Sequence, residues 1–369
     1  MTGSVTVGVV ANPASGRDIR RLVAGASVFD NAEKGNMVYC FMVGLGAVGV
    51  ERVLMMPAAS GLYDGLERTL HGRAFETHPL PELELVEMRL RHDARDTVEA
   101  VEKMREQGVK AIAVFGGDGT NRIVAGRCTD MPICALSTGT NNTFPEMREA
   151  TVAGLATGLV ATRQVDNGVL RQEKILHVGF NSDPHHDHAL VDVAVSSERF
   201  VAARALWKSN SVLQLFVASA APDAVGFSAV AGLLDPIPRH AHHGLYLRLT
   251  EPGDAGLVLN VPLAPGLVVP VGVAESRRME PGSAVPVTPG SGSIALDGER
   301  EIERGPEDRV EVSLATEGPL TIDIGEVMRL AARHGLLSDQ TLSKKAAELR
   351  GFAPTEAKRP SNRQSVTGL

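Results

Sequence analysis

Short apolar runs that alternate with helix-length amphipathic segments confine the first part of this chain to an α/β architecture. Crossover helices must cover both faces of a parallel sheet, and that requirement writes this alternation. The runs fall at residues 5–10, 52–56, 83–88, 111–115 and 133–136. Between the third and fourth, residues 93–107 carry Val98, Val101 and Met104 at helical spacing, with Asp93 placed to cap the first turn. A further helix is expected over residues 149–162. Beyond it the texture changes to short Val- and Leu-rich runs separated by Pro, Gly and Asp, the pattern of a β-rich unit. At 369 residues the chain exceeds what one core of roughly 100–150 residues holds. Residues 1–160 are therefore expected to form a parallel-sheet α/β domain and residues 161–317 a β-rich domain. Residues 318–334, with a helix over 325–334, are expected to return to the first domain, and residues 335–369 to hold a helix and a disordered tail. No sequence repeat is visible.

The charge balance narrows the partners. Thirty-seven Lys and Arg against 44 Asp and Glu give a net charge of -7, which offers no basic field to a nucleic-acid backbone or an anionic membrane surface. Small molecules are the expected partners. The three cysteines, Cys40, Cys128 and Cys134, are too few and of the wrong parity for a disulfide framework, and fit a reducing cytoplasm. The first residues carry no basic stretch ahead of an apolar one, so no signal peptide is expected. The longest uncharged stretch, residues 255–274, is cut by Pro262, Pro265 and Pro270 into strand-sized pieces. Trp207 and its apolar neighbours read as core or subunit contact, and a homo-oligomer is expected.

The most informative segment is Gly116-Gly117-Asp118-Gly119-Thr120, between the apolar run at 111–115 and a helix-compatible stretch from Asn121. In an open α/β sheet, ligands sit beyond the carboxyl ends of the strands. There, glycines let the backbone approach a phosphate and a helix N-terminus favours an anion. A carboxylate repels phosphate, so Asp118 points instead to Mg²⁺ or to a hydroxyl proton it accepts. Both are steps of phosphoryl transfer. A tight turn with a solvated Asp would account for an isolated Gly-Asp-Gly, but two further polar loops follow strands of the same set. One is Asn12-Pro13-Ala14-Ser15-Gly16 and the other Ser137-Thr138-Gly139-Thr140-Asn141-Asn142.

Gly-Gly-Asp-Gly-Thr resembles the signature of the superfamily of NAD kinases, diacylglycerol kinases and sphingosine kinases. Asn12-Pro13-Ala14-Ser15-Gly16 and Gly139-Thr140-Asn141-Asn142 resemble the nucleotide loops of its lipid-kinase branch. The later order of segments is similar to NAD kinases: Ala189-Leu190-Val191-Asp192 to their Asn-Glu/Asp motif, Gly226-Phe227-Ser228-Ala229 to a Ser-bearing helix start, and Asp297-Gly298-Glu299 to a later Asp-Gly motif. Residues 11–56 resemble an NAD-kinase-like family found in bacterial acetoin operons.

The resemblance implies an NAD-kinase-like α/β fold with ATP and Mg²⁺ as cofactors. It implies Asp118 as the catalytic residue, with Asn12, Ser15, Gly16, Gly116, Gly117, Gly119, Thr120, Asn121, Gly139, Thr140, Asn141 and Asn142 at the nucleotide. Asp192, Gly226, Ser228, Asp297 and Glu299 would bind the acceptor, in the family reading the 2′-hydroxyl of NAD. Val191 departs from the family by replacing the Asn before the acidic residue, and Asp223, Ala224 and Val225 occupy its Thr and Pro positions. A kinase of another small alcohol and a non-enzymatic nucleotide-binding accessory protein are the alternatives.

Several features invite readings that their context resists. Gly44-Leu45-Gly46-Ala47-Val48-Gly49 fits a dinucleotide fingerprint literally, but the next apolar run follows too closely for the required helix, and close packing of a Gly-rich helix is expected. Asp297-Gly298 between Ile294, Leu296 and Ile302 is a hairpin-turn signal in its own right. The clusters His185-His186-Asp187-His188 and His240-Ala241-His242-His243 lack metal-ligand spacing and are expected to be solvated loop residues, with no bound metal.

Overall fold

The computed structural model describes residues 4–13, 29–58, 61–72, 79–198 and 211–338. The first half runs β1 (Thr6–Ala11), α1 (Asn31–Ala47), β2 (Arg52–Met55), α2 (Leu62–Gly72), β3 (Glu82–Leu85), α3 (Ala94–Glu106), β4 (Ile112–Gly116), α4 (Asp118–Ala125), β5 (Ile133–Ser137) and α5 (Ala150–Ala161). The second half holds β6 (Leu170–Gln172), β7 (Ile175–Phe180), β8 (Asp183–Ala189), β9 (Asp192–Ser196), β10 (Val212–Val217), α6 (Ser228–Leu234), β11 (Gly244–Thr250), β12 (Leu257–Ala264) and β13 (Leu267–Met279). It ends with β14 (Ala284–Pro286), β15 (Gly292–Leu296), β16 (Glu299–Arg304), β17 (Val310–Ala315), β18 (Leu320–Ile322) and α7 (Ile324–His334).

The first sheet has the order β3-β2-β1-β4-β5-β18-β6. Its strands are parallel except β6, which pairs antiparallel with β18. Strands β1 and β4 are buried along their whole length, as a sheet covered on both faces requires. One face packs on α1, α2, α5 and α7, the other on α3 and α4. The strand order reverses between β1 and β4, so the loops that follow them flank the crevice where ligands of such sheets bind. Leu170–Gln172, beyond the boundary expected at residue 160, still belongs to this sheet because it completes the hydrogen bonds of β18. The last strand and helix lie here too: β18 pairs with β5, and Val327 and Ala331 of α7 enter the same core.

The other two sheets are antiparallel, with orders β12-β13-β11-β10-β9-β15-β16 and β14-β17-β7-β8. They face each other across a sandwich core that includes Leu176, Val178, Phe216, Ile294 and Val312. The uncharged stretch 255–274 is the β12–β13 hairpin, and no helix among the described residues is long and apolar enough to cross a membrane. His185, His186 and His188 are not loop residues. They stand on β8, which is bonded to β7, and the His188 ring is half-buried with Nε2 2.9 Å from the Arg122 carbonyl at the end of α4. Trp207 and residues 339–369 lie outside the described residues.

The glycines at 44 and 46 belong to α1. A Cβ on Gly44 would stand 2.2 Å from the Thr151 carbonyl oxygen, and one on Gly154 2.1 Å from that of Phe41. Helices α1 and α5 therefore cross backbone to backbone, and the fingerprint is a packing seam. Alanine at position 44 gains helix propensity of up to ~1 kcal/mol over glycine, but the obstructing atoms are backbone and overpacking costs ~1–3 kcal/mol or more. Gly44→Ala is expected to lower stability in urea denaturation despite the better helix former.

Where the chain passes from the first sheet into β7, Lys174 is buried and donates to the carbonyls of His243 at 2.9 Å and Pro238 at 3.4 Å. Burial lowers its ammonium from the usual 10.5 to about 8, against an opposing pull from Glu173. Between these values the unfolded chain holds a proton that the folded chain has released, so this residue's contribution to stability rises with pH across that window. The stability of wild type relative to Lys174→Met, followed by urea denaturation, is expected to increase from about pH 8 towards 10.5 and to stay flat below it.

Candidate active site

Three loops at the carboxyl ends of the first sheet meet as direct contacts. After β1, Asn12 Nδ2 donates to Thr120 Oγ1 at 3.0 Å, and the buried Lys34 ammonium donates to the Asn12 carbonyl at 3.2 Å. After β4, Gly117 takes the N-cap position, so α4 begins at Asp118, earlier than the expected Asn121. Asp118, Gly119 and Thr120 therefore form the first turn of the helix. Close approach explains the glycines: a Cβ on Gly116 would meet Thr120 Cβ at 2.8 Å, and one on Gly117 would meet Asn142 Oδ1 at 2.7 Å. After β5, Asn142 Nδ2 donates to Ser137 Oγ at 2.8 Å, and Ser137 Oγ donates to the Gly139 carbonyl at 2.7 Å, which folds residues 137–142 back on themselves.

Asp118 joins two of these loops. Its carboxylate accepts from the Thr143 amide at 3.1 Å through both oxygens and from the Phe144 amide at 2.8 Å. The carbonyls of the same two residues accept from Arg239 Nη2, whose guanidinium lies 4.9 Å over the Phe144 ring and pairs with the buried Glu173 at 3.1 Å. The peptide unit between Thr143 and Phe144 is thus held from both sides. Asn121 is fully buried, its Nδ2 donating to the Gly117 carbonyl at 2.9 Å while Oδ1 has no hydrogen-bond partner.

The antiparallel sheets bring the remaining candidates to this point. Asp297 and Gly298 form the β15–β16 turn with φ of 50° and 81°, the positive pair that a two-residue hairpin demands. The turn reading and the site reading both describe this residue. The buried Asp297 carboxylate accepts from the amides of Leu190 at 3.0 Å, Val191 at 2.7 Å and Asp192 at 3.2 Å, and its own amide donates to the Asp192 carbonyl at 2.9 Å. Burial pushes its carboxyl above the usual carboxylate range, opposed by the charge of Arg122 and by these amides. Arg122, on α4, is itself paired with Asp187 at 3.1 Å. Glu299 faces α4 across the gap, its carboxylate 3.6 Å from where a Cβ on Gly119 would stand.

One cleft between the units is lined by Asp118, Asn141, Asp192, Gly226, Ser228 and Asp297, all candidates from sequence, drawn from positions as much as 179 residues apart. Asn12, Gly116, Gly117, Gly119, Thr120, Asn121, Gly139, Thr140, Asn142 and Glu299 do not line it, and the contacts above place most of them in the loops beside Asp118. Ser15 and Gly16 lie outside the described residues. Sequence reasoning missed Thr143, Phe227 and Leu263 in the wall, and Arg239 behind it. Arg239 carries no local signal, since its partners are 66 to 96 positions away. Among the described residues no group of three or more His, Cys, Asp or Glu is arranged to hold a metal ion.

Comparison with known proteins gives the family. Residues 41–164 match the family model of the ATP-NAD kinase N-terminal domain, and residues 174–317 that of the acetoin catabolism protein X C-terminal domain. Acetoin catabolism protein X of Cupriavidus necator is 44% identical over 335 residues, covering 90% of this chain and 93% of that protein. Among solved structures, a diacylglycerol kinase from Bacillus anthracis aligns over 87% of this chain and 98% of its own at 11% identity, with a TM-score of 0.43. On the strength of the 44% identity across nearly the full length of both chains, this chain belongs to the acetoin catabolism protein X family, whose N-terminal domain is of the NAD kinase type.

Proposed function

We propose that this chain is a phosphotransferase of the NAD kinase type that moves the γ-phosphoryl group of ATP to a hydroxyl of a small molecule in acetoin catabolism, in the cytoplasm. The observation that carries the reading is the convergence of Asp118, Asn141, Asp192, Gly226 and Ser228 on one cleft at the switch point of the first sheet. Phosphoryl transfer needs alignment and charge neutralisation more than covalent chemistry. The glycine-lined turn at the start of α4 supplies backbone close to the donor phosphates. Bound Mg²⁺ neutralises phosphate charge, and an ion carried by a nucleotide needs only one or two protein carboxylates. Asp118 in the first turn of α4 and Glu299 facing that turn across the gap are hard oxygen donors that fit that part. In this reading Asp118 also accepts the acceptor's hydroxyl proton and Asp192 orients that hydroxyl, a role supported by their both lining the cleft.

The family resemblance makes the 2′-hydroxyl of NAD the first acceptor to consider. Val191 favours a second. It lines the cleft beside Asp192, is 2% exposed, and presents an apolar side chain where NAD kinases carry an amide.

Two substitutions separate the chemical from the tethering role of Asp118. In Asp118→Asn the amide oxygen still accepts from Thr143 and Phe144, so the fold is expected to persist while transfer from labelled ATP falls by about 10² to 10⁴. Asp118→Ala also leaves those amides without their acceptor and is expected to lose a further ~1.5–3 kcal/mol in urea denaturation. Undiminished turnover in a folded Asp118→Asn protein would remove Asp118 from the mechanism.

A further inference from the structure

We infer that the acceptor side of this cleft selects a small uncharged alcohol with an apolar flank, of the short diol or hydroxyketone class, over anionic acceptors, dinucleotides included. This rests on the phosphotransferase reading and narrows its substrate. An anionic group on a substrate is held by backbone N–H groups or by cations. On this side of the cleft several of these N–H groups are already engaged. The turn from β8 to β9 offers three successive amides, a ready anion cradle, and the Asp297 carboxylate occupies them at 2.7–3.2 Å as a built-in anion. At the start of α6, the amides of Ala229 and Val230 are bonded to the carbonyls of Gly226 at 3.2 Å and Phe227 at 3.0 Å. Across the gap, Asp118 occupies the amides of Thr143 and Phe144.

Among the described residues the nearby arginines are already paired with carboxylates. Arg122 is paired with Asp187, and Arg239 with Glu173 and the outer carbonyls of the loop. Among the described residues the lining contains no Lys, Arg or His. What remains is a wall of two kinds: Asp118 and Asp192 on one part, Val191, Val225, Phe227 and Leu263 on another. A hydroxyl hydrogen-bonded to a carboxylate with methyl or methylene groups against the apolar part satisfies both. A pyrophosphate brought to the same wall meets like charge and no free donor among these amides.

In the transfer step the acceptor oxygen bonds to the γ-phosphorus as the bond from that phosphorus to the β,γ-bridging oxygen breaks. The bridging oxygen leaves on ADP with the electron pair, and the hydroxyl proton passes to Asp118 and then to solvent. The products are a phosphate monoester and ADP.

The test sets 2,3-butanediol and 3-hydroxy-2-butanone against NAD and glycerol 3-phosphate, with the purified full chain and labelled ATP with Mg²⁺. The melting temperature with each acceptor is recorded alongside turnover. The neutral acceptors are expected to exceed the anionic ones by at least about tenfold in kcat/KM. Val225→Lys, which puts a cation at a half-exposed position of the wall, is expected to shift that ratio towards NAD by about tenfold or more once its folding is verified by melting. A preference of wild type for NAD or glycerol 3-phosphate overturns the inference, as does an unmoved ratio in folded Val225→Lys. If nothing is phosphorylated but the neutral alcohols alone raise the melting temperature, the phosphotransferase reading falls and the selectivity stands. No response to any of the alcohols by either measure overturns both.

Discussion

Two carboxylates that bond to backbone amides hold this cleft together. Loops that meet at a sheet's end carry N–H groups which, once shielded from water, need acceptors inside the protein. Asp118 supplies them for Thr143 and Phe144, and Asp297 for Leu190, Val191 and Asp192. A buried charge is costly unless hydrogen-bonded or paired, and here the amides and Arg122 provide that compensation for Asp297. Each carboxylate therefore both lines the cleft and anchors a loop.

The two units are linked at the same place. The chain leaves the first sheet through Glu173 and Lys174 and returns beside them: the Gly318 amide donates to the Glu173 carbonyl at 3.0 Å, and a Cβ on Gly318 would stand 2.7 Å from that oxygen. Glu173 accepts from Thr321 at 2.6 Å on the returning strand and from Arg239 on the loop before β11. Arg239 continues to the carbonyls of the loop whose amides hold Asp118. A continuous set of hydrogen bonds thus runs from the crossing of the units to the centre of the cleft, so the position of Asp118 depends on how the antiparallel sheets sit against the parallel one.

The sequence alone determined the elements whose physics is local. Buried parallel strands must be apolar, and the runs at 111–115 and 133–136 lie within one residue of the strands found. Asp93 caps α3 because a side-chain acceptor suits an exposed first turn, and its carboxylate does bond to the Arg95 amide. Gly116 and Gly117 were legible as positions of close approach at a strand's end, where the packing leaves no room for a Cβ. Only the tertiary structure decided the rest, since it depends on partners remote in the chain. Asp297 reads as a turn residue until the amides of 190–192 are brought to it, and the glycines of α1 read as a fingerprint until α5 crosses them. His188 reads as solvated until α4 packs against β8, and Arg239 has no reading at all until Phe144 lies beneath it. Local sequence fixes which way a backbone turns and which face is apolar; which buried donor meets which acceptor is set by the packing of sheets and helices whose residues lie a hundred positions apart.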